Sequence, residues 1–368
     1  MKICYIINSL DGGGGALPLP NVIGVMRAAG HEVSVVSLME RDGRARPALE
    51  AAGIPYVVIG GPKRRIFSTA IRLAKIVRAT RPDVLWTSLS HATITGQIIG
   101  WLLDVPVVSW LHNAWLKPGN IRVMRRTKGL TRHWVADSDT VAAFGVDTLG
   151  IARSNISVWP LFRADPSRPV ASAAIGTSFI VGSLGRLHPN KGYHVLIEAL
   201  ALLRSRSPSL AQSLLVQIAG EGAIRAELQK LAADRGVENL EFVGFTEPSR
   251  FLASLHCYVQ PSHHEGFCIA AHEAMLAGLP VVASPVGEMA HSVRAAGGGL
   301  LVEFGNAGEL AAAIGKYALD HQLAHRTGMA GREWVAQQFS AAAFTARGIA
   351  AMEAAGVRRN KLDHRQPG

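Results

Sequence analysis

Short apolar runs alternate with longer amphipathic stretches along most of the chain. Runs at 2–8, 33–38, 57–59, 84–86, 107–110 and 134–136 read as strands, and stretches such as 66–79 and 92–103 read as helices between them. Short strands that are apolar throughout suit parallel sheets covered on both faces. The pattern fades at 159–169, where Pro160, Pro166 and Pro169 mark a linker. It restarts at 179–185 and continues with runs at 214–219, 240–243, 257–260, 280–283 and 300–302. The expected architecture is α/β, with two doubly wound parallel-sheet domains in tandem. The first covers 1–165, a linker 166–177, and the second 178–338. A C-terminal segment, 339–368, carries a helix that packs back toward the first domain and ends in a frayed tail from 357. Ligands of open parallel sheets sit beyond the carboxyl ends of the strands, so two such sheets facing each other would make a cleft.

The length of 368 residues agrees with two cores. A hydrophobic content of 48% with 18% charged residues excludes a disordered chain. No apolar run reaches the ~18 residues of a membrane span, and the short run at the start, ended by Asn8, is a poor signal peptide. Cys4, Cys257 and Cys268 form neither a disulfide framework nor a zinc spacing, which points to a reducing, cytoplasmic setting. A thiol near a helix start, as at Cys268, can have a lowered pKa; a small packing residue is the favoured reading.

Charge changes the picture more. Residues 1–170 hold 21 Lys and Arg against 11 Asp and Glu, whereas 171–368 hold 17 against 16. Lys63, Arg64, Arg65, Arg72, Lys75, Arg78 and Arg81 come without an acid among them, and six more basic residues follow between Lys117 and Arg132. The first half is therefore expected to meet something anionic. Helix 66–79 shows an apolar face of Ile66, Phe67, Ala70, Ile71, Ala74 and Val77 with cations opposite. Such a helix lies on an anionic membrane or covers a sheet with its charges in water. The charge asymmetry favours a membrane surface met through 63–81 and 117–132. Nucleic acid is not expected, because no recognition motif accompanies the charge.

Two stretches carry candidate chemistry. Gly185-Arg186-Leu187-His188-Pro189-Asn190-Lys191-Gly192 follows an apolar strand and precedes a predicted helix at 195–203. Glycine lets backbone approach a ligand closely. Arg186 offers phosphate a planar fork, Lys191 adds a point charge, and N–H groups at the helix start add to the field. Further on, Glu265 and Glu273 lie eight residues apart. Gly266-Phe267-Cys268 reads as a helix opening whose free N–H groups face an anion, which sets Glu273 about 12 Å along the axis. Carboxylates accept hydroxyl protons, so one suits a transferred sugar and the other a ribose. Exposed loop cations and two ordinary helix carboxylates are the bland alternative; the two stretches together outweigh it.

The same residues carry a resemblance. Gly185-Arg186-Leu187…Lys191-Gly192, Ala219-Gly220-Glu221-Gly222, Phe242-Val243-Gly244-Phe245, Pro261-Ser262…Glu265-Gly266-Phe267 and Glu273-Ala274-Met275 with 277–284 follow one another with few gaps. From about Phe179 to Val302 the chain resembles glycosyltransferase family 4, retaining enzymes of the GT-B fold. That fold implies two Rossmann-like domains facing a cleft, the second holding a nucleotide-diphospho-sugar and the first an acceptor. By resemblance Arg186 and Lys191 bind the diphosphate, Glu265 contacts the transferred sugar and Glu273 the ribose. Gly266, Phe267, Cys268 and Ile269 border the donor, and Val243 and Phe245 meet the base. The first half resembles the family through Gly12-Gly13-Gly14-Gly15, where Gly14 and Gly15 join the donor site, and through Pro106-Val107-Val108…His112. His112 joins Glu265 as a candidate catalytic residue. The implied activity moves a sugar from a UDP- or GDP-sugar to a glycan or lipid-linked acceptor, in bacterial polysaccharide, lipopolysaccharide or glycolipid assembly. No cofactor and no metal are expected, and the implied setting is cytoplasmic, peripheral on the inner face of the plasma membrane. A nucleotide-sugar epimerase on the same fold, or a catalytically idle binding subunit, stay open as alternatives.

Some positions depart from the family pattern. Glu288 and His291 replace a usual Gly and Glu, Ser88 stands where His is frequent, Leu161-Phe162 replaces Asn-Gly, and Pro18 and Pro20 interrupt an expected helix. Asp137-Ser138-Asp139 resembles a metal-holding Asp-x-Asp, but its place between strand and helix favours capping. His256, His263 and His264 lack a ligand spacing. The four glycines fail the G-x-G-x-x-G pattern, because Leu17 or Pro18 takes the third position.

Overall fold

The structure is a computed structural model that describes residues 1–62, 66–171 and 178–358. Lys63, Arg64 and Arg65, residues 172–177 of the expected linker and the tail from 359 lie outside the described residues. The chain forms two units, Met1–Arg163 with Ala342 onward, and Ala164–Ala341.

The first unit is built on parallel strands β1 (Lys2–Ile7), β2 (Glu32–Ser37), β3 (Tyr56–Val58), β4 (Val84–Ser88), β5 (Val107–Leu111), β6 (His133–Ala136) and β7 (Ile156–Val158), in the order β3-β2-β1-β4-β5-β6-β7. The second holds β8 (Phe179–Leu184), β9 (Leu214–Ala219), β10 (Leu240–Gly244), β11 (Cys257–Gln260), β12 (Val281–Ala283) and β13 (Gly299–Leu301), in the order β10-β9-β8-β11-β12-β13. In each sheet the winding reverses beside the first strand, at β1/β4 and at β8/β11. A ligand crevice opens at such a reversal. β7 was not expected; three residues before a proline-rich segment are too few to show a period. All of Ile3–Ile7 is at most 1% exposed, as a central strand covered on both faces must be.

Two expectations need correction. Pro18 and Pro20 do not interrupt a helix: Pro18 is the N-cap and Pro20 lies in the first turn of Leu19–Ala28, where the missing N–H costs nothing. Helix Ile66–Thr80 packs by only part of the apolar face expected from its periodicity. Val77 of that face is buried and Ala70 and Ala74 pack against the core, joined by Thr69 and Leu73, while Phe67 and Ile71 stay 86% and 60% exposed.

The C-terminal segment completes the first core. Phe344, on helix Ala341–Ala354, packs on Trp159 at 5.5 Å between ring centroids. Trp159 in turn stacks on Trp110 at 4.8 Å, and both are at most 1% exposed. Residues 164–171 run over the second unit instead. Ala164 N–H donates to Phe339 O (2.8 Å) and Ala171 N–H to Ala277 O (2.7 Å). Arg332 donates both to Leu276 O and, at 2.9 Å, to Pro166 O.

Helix Ile269–Leu276 packs on helix His321–Gln338. Its His272 is 0% exposed and stacks on Phe267 at 4.1 Å. Nδ1–H donates to Cys268 O (3.0 Å) and Nε2 accepts from Ser292 Oγ (2.8 Å). Burial lowers its pKa to about 4, only partly opposed by the Cys268 carbonyl. The unfolded chain thus binds one more proton than the folded chain between the ordinary histidine range and pH 4. Stability is fully present above that range and lost as pH falls through it, by about 3 kcal/mol for a shift of this size. Urea denaturation at pH 7.5 and pH 5 should show about 2 kcal/mol of this loss in the wild type and a clearly smaller loss in His272→Gln.

Candidate active site

The carboxyl edge of the second sheet gathers most of the expected residues. Gly185–Leu187 follow β8 and run beside Gly220–Gly222, which follow β9: Gly185 N–H donates to Ala219 O and Leu187 N–H to Glu221 O, both at 2.9 Å. The approach needs glycine, since a Cβ on Gly220 would fall 2.0 Å from Gly185 O. Gly220 N–H donates to Gly244 O (2.7 Å), which joins the end of β10 to the same edge. Val243 and Phe245 are 40% and 53% exposed there, and Arg186 is exposed at the end of β8. On the other side, Gly192 has φ +69° and lies against Pro261 O, where an added Cβ would come within 1.7 Å. This crossing fixes Lys191 next to the loop after β11.

There Lys191 Nζ meets Glu265 Oε1 at 2.7 Å. Ser262 Oγ (2.6 Å) and Gln260 Nε2 (3.1 Å) donate to the same oxygen. Gln260 Oε1 accepts from Tyr258 Oη (2.6 Å). Tyr258, Gln260 and Ser262 are all buried. Burial pulls the Lys191 pKa down, but Glu265 overcomes it and holds the ammonium charged well above its usual range. Burial pushes the Cys268 thiol up, which disfavours a reactive thiolate at the helix start and favours the packing reading.

The helix opening differs in detail from the expected one. The helix starts at Ile269, and its N-cap Cys268 has φ +61°, so Glu265 to Cys268 is not helical. Only Glu273 sits on the helix, and the 12 Å axial spacing does not apply. Gly266 and Cys268 are buried at this opening, and the Phe267 ring turns inward onto His272. Glu273 Oε1 accepts from Arg168 Nη1 at 2.6 Å.

In the first unit, the loop after β1 holds Gly14 and Gly15, with Gly15 next to Leu89. Leu89 has φ +74°, a conformation disfavoured outside glycine. At the end of β5, His112 is enclosed: its side chain is 6% exposed, Nε2 is 2.6 Å from Ser88 Oγ, and Nδ1 is 3.0 Å from both oxygens of Asp137. Trp110 stacks on its ring at 5.5 Å. Capping after β6 belongs to Ser138, which accepts from Val141 N–H; Asp137 holds His112 instead.

Sequence reasoning missed Gln260, Asp137 and Arg168. The first had a signal, since Tyr258, Gln260 and Ser262 alternate at the strand period and so share a face. The other two pair with residues far away in sequence. Among the described residues, no group of three or more His, Cys, Asp or Glu side chains is placed to hold a metal ion.

Two family profiles match: Glycosyl transferases group 1 over residues 168–334 and Glycosyltransferase Family 4 over residues 13–162. A lipopolysaccharide core biosynthesis glycosyltransferase, LpsE, of Rhizobium meliloti is 36% identical over 168 residues, which is 45% of this chain and 47% of that protein. A D-inositol 3-phosphate glycosyltransferase of Jonesia denitrificans is 30% identical over 301 residues, 68% of this chain and 67% of that protein. The chain thus spans about half the length of some of its relatives. A solved structure of Anabaena HepE in complex with UDP and glucose superposes with a TM-score of 0.83 at 23% identity, covering 96% of this chain and 99% of that one.

A buried charge that loses its partner is costly. Lys191→Met should lower stability by about 3 kcal/mol, and Lys191→Met with Glu265→Gln should recover most of it. A double-mutant cycle from chemical denaturation measures this coupling.

Proposed function

The chain belongs to glycosyltransferase family 4, and from that membership we propose that it moves a sugar from a nucleotide-diphospho-sugar to an acceptor hydroxyl with retention at the anomeric carbon. The observation that carries this reading is the Lys191–Glu265 pair beside the β8/β11 reversal, with Arg186 exposed on the same edge. The diphosphate lies against Arg186, Lys191 and the N–H groups that open helix Ile269–Leu276. These charges oppose the negative charge growing on the leaving group, so they act more strongly in the transition state than in the ground state. The anomeric carbon–oxygen bond to the diphosphate breaks, and the acceptor oxygen bonds to the same face. The departing diphosphate oxygen takes the acceptor's proton. No protein nucleophile and no metal take part.

Glu265 holds a hydroxyl of the transferred sugar, Glu273 the ribose, and the backbone at Val243–Phe245 the base. Gly14, Gly15 and His112 serve the donor sugar from the first unit. Asp137 keeps a proton on Nδ1 of His112 and fixes its ring. The UDP and glucose bound by Anabaena HepE support a UDP-sugar donor. The lipopolysaccharide core role named for the Rhizobium relative supports an envelope glycan or lipid-linked acceptor.

Membrane association belongs to the same reading. Among the described residues no helix is long and apolar enough to cross a membrane. Helix Ser90–Leu103 lies between helices Ile66–Thr80 and Pro118–Thr127 and packs on both. It leaves Trp101 and Leu102 68% and 60% exposed, and Phe67 and Ile71 stand out on its neighbour. Arg72, Lys75, Arg78, Arg122, Arg125 and Arg126 accompany them, and these three helices contain no acidic residue. Apolar side chains with a basic surround suit peripheral docking to an anionic bilayer at the cytoplasmic face.

Thermal-shift titration should show stabilisation by a UDP- or GDP-sugar, because a ligand raises stability by mass action. Lys191→Ala should lose that shift and the slow hydrolysis of the donor; unchanged nucleotide binding in Lys191→Ala would falsify the site. Sedimentation with phosphatidylglycerol vesicles at low salt should carry the protein down, and phosphatidylcholine vesicles should not. Trp101→Ser with Phe67→Ser should weaken the binding, and failure of the wild type to sediment with anionic vesicles ends the membrane reading.

A further inference from the structure

Arg168 belongs to the segment 164–171 that is bound down along the second unit. That segment is held by Ala164 N–H on Phe339 O, Ala171 N–H on Ala277 O, and Arg332 on Pro166 O. Arg332 also caps Leu276 O at the end of the helix that bears Glu273. The same fastening therefore fixes both the segment and the helix, and it brings Arg168 Nη1 to Glu273 Oε1 at 2.6 Å. The Glu273 side chain is 14% exposed and that of Arg168 39%. Among the described residues no donor reaches Glu273 Oε2.

We infer that Arg168 is a positioning residue of the donor site, holding one oxygen of Glu273 so that the carboxylate stays ionised and presents its other oxygen to the ribose hydroxyls. This rests on the reading of Glu273 as the ribose ligand. A carboxylate this enclosed disfavours its charged form. Burial does raise the Glu273 pKa, and the Arg168 hydrogen bond and charge oppose that rise. Glu247 adds to the rise. It is itself held ionised, because burial is outweighed by the N–H groups of Arg250 and Ser249 that it caps. The remaining charged or titratable groups on elements packed against this helix are Arg332, spent on two carbonyls, and the exposed Arg250, His321, His325, Arg326 and Glu333, none of which shifts the Glu273 carboxyl. Arg168 is thus the cation that opposes both burial and Glu247.

The test is donor affinity against pH by calorimetry. The probe is UDP-glucose or GDP-mannose, whichever the wild type binds more tightly, because their diphosphate diesters do not titrate near neutral pH. Binding needs the ionised carboxylate, so affinity falls as pH drops through the Glu273 pKa. In Arg168→Gln the midpoint of that fall should move up by about one to three pH units, and Arg168→Lys should restore most of the wild-type profile. Glu273→Gln should bind weakly at every pH, without that titration. If Arg168→Gln keeps the wild-type profile, or weakens binding by the same factor at every pH, the inference is overturned and Glu273 keeps its role. If Glu273→Gln binds like the wild type, the ribose reading fails and the inference with it.

Discussion

The ion pair of Lys191 with Glu265 is the constraint around which the second unit's site is arranged. Two ions withdrawn from water need close geometry and further hydrogen bonds to be tolerated. Ser262 and Gln260 supply those bonds, and Tyr258 anchors Gln260. For the ammonium to arrive, the loop after β8 must cross the loop after β11, and that crossing is open only to glycine at position 192. The cation proposed for the phosphate and the carboxylate proposed for the sugar are therefore held together before any ligand enters. Preorganised charge of this kind needs no rearrangement during the reaction.

The first unit solves a similar problem differently. His112 is pinned between Ser88 and Asp137, with Trp110 against its face. Both ring nitrogens have partners, so its orientation is set by the ends of three neighbouring strands. Ser88 is one of the departures from the family pattern, and it fills its place by bonding His112 directly.

Sheets, their order of occurrence and the glycine-rich loops were legible in the sequence, because short apolar runs and Gly clusters are local signals. Lys191 and Glu265 were legible as separate candidates; their direct contact was not, since it depends on how two loops cross. The face of helix Ile66–Thr80 was only half legible for a related reason. Ala70, Ala74 and Val77 of the expected stripe do face the core, but Ile66, Phe67 and Ile71 do not, and Thr69 and Leu73 are covered in their place. Periodicity shows that a helix has an apolar stripe, and packing decides which residues are covered. Arg168 was hidden for another reason: its segment read as a linker, whose cations are ordinarily solvated.

The return of the chain to its first unit has a consequence for biosynthesis. The ring of Phe344 covers Trp159, so the opening unit is finished only by residues made after the whole of the second. The second unit is continuous and complete once Ala341 has left the ribosome. Nascent domains usually mature in the order of synthesis; here the later one closes first. Until helix 341–354 has emerged, the earlier one waits with an unsealed tryptophan cluster.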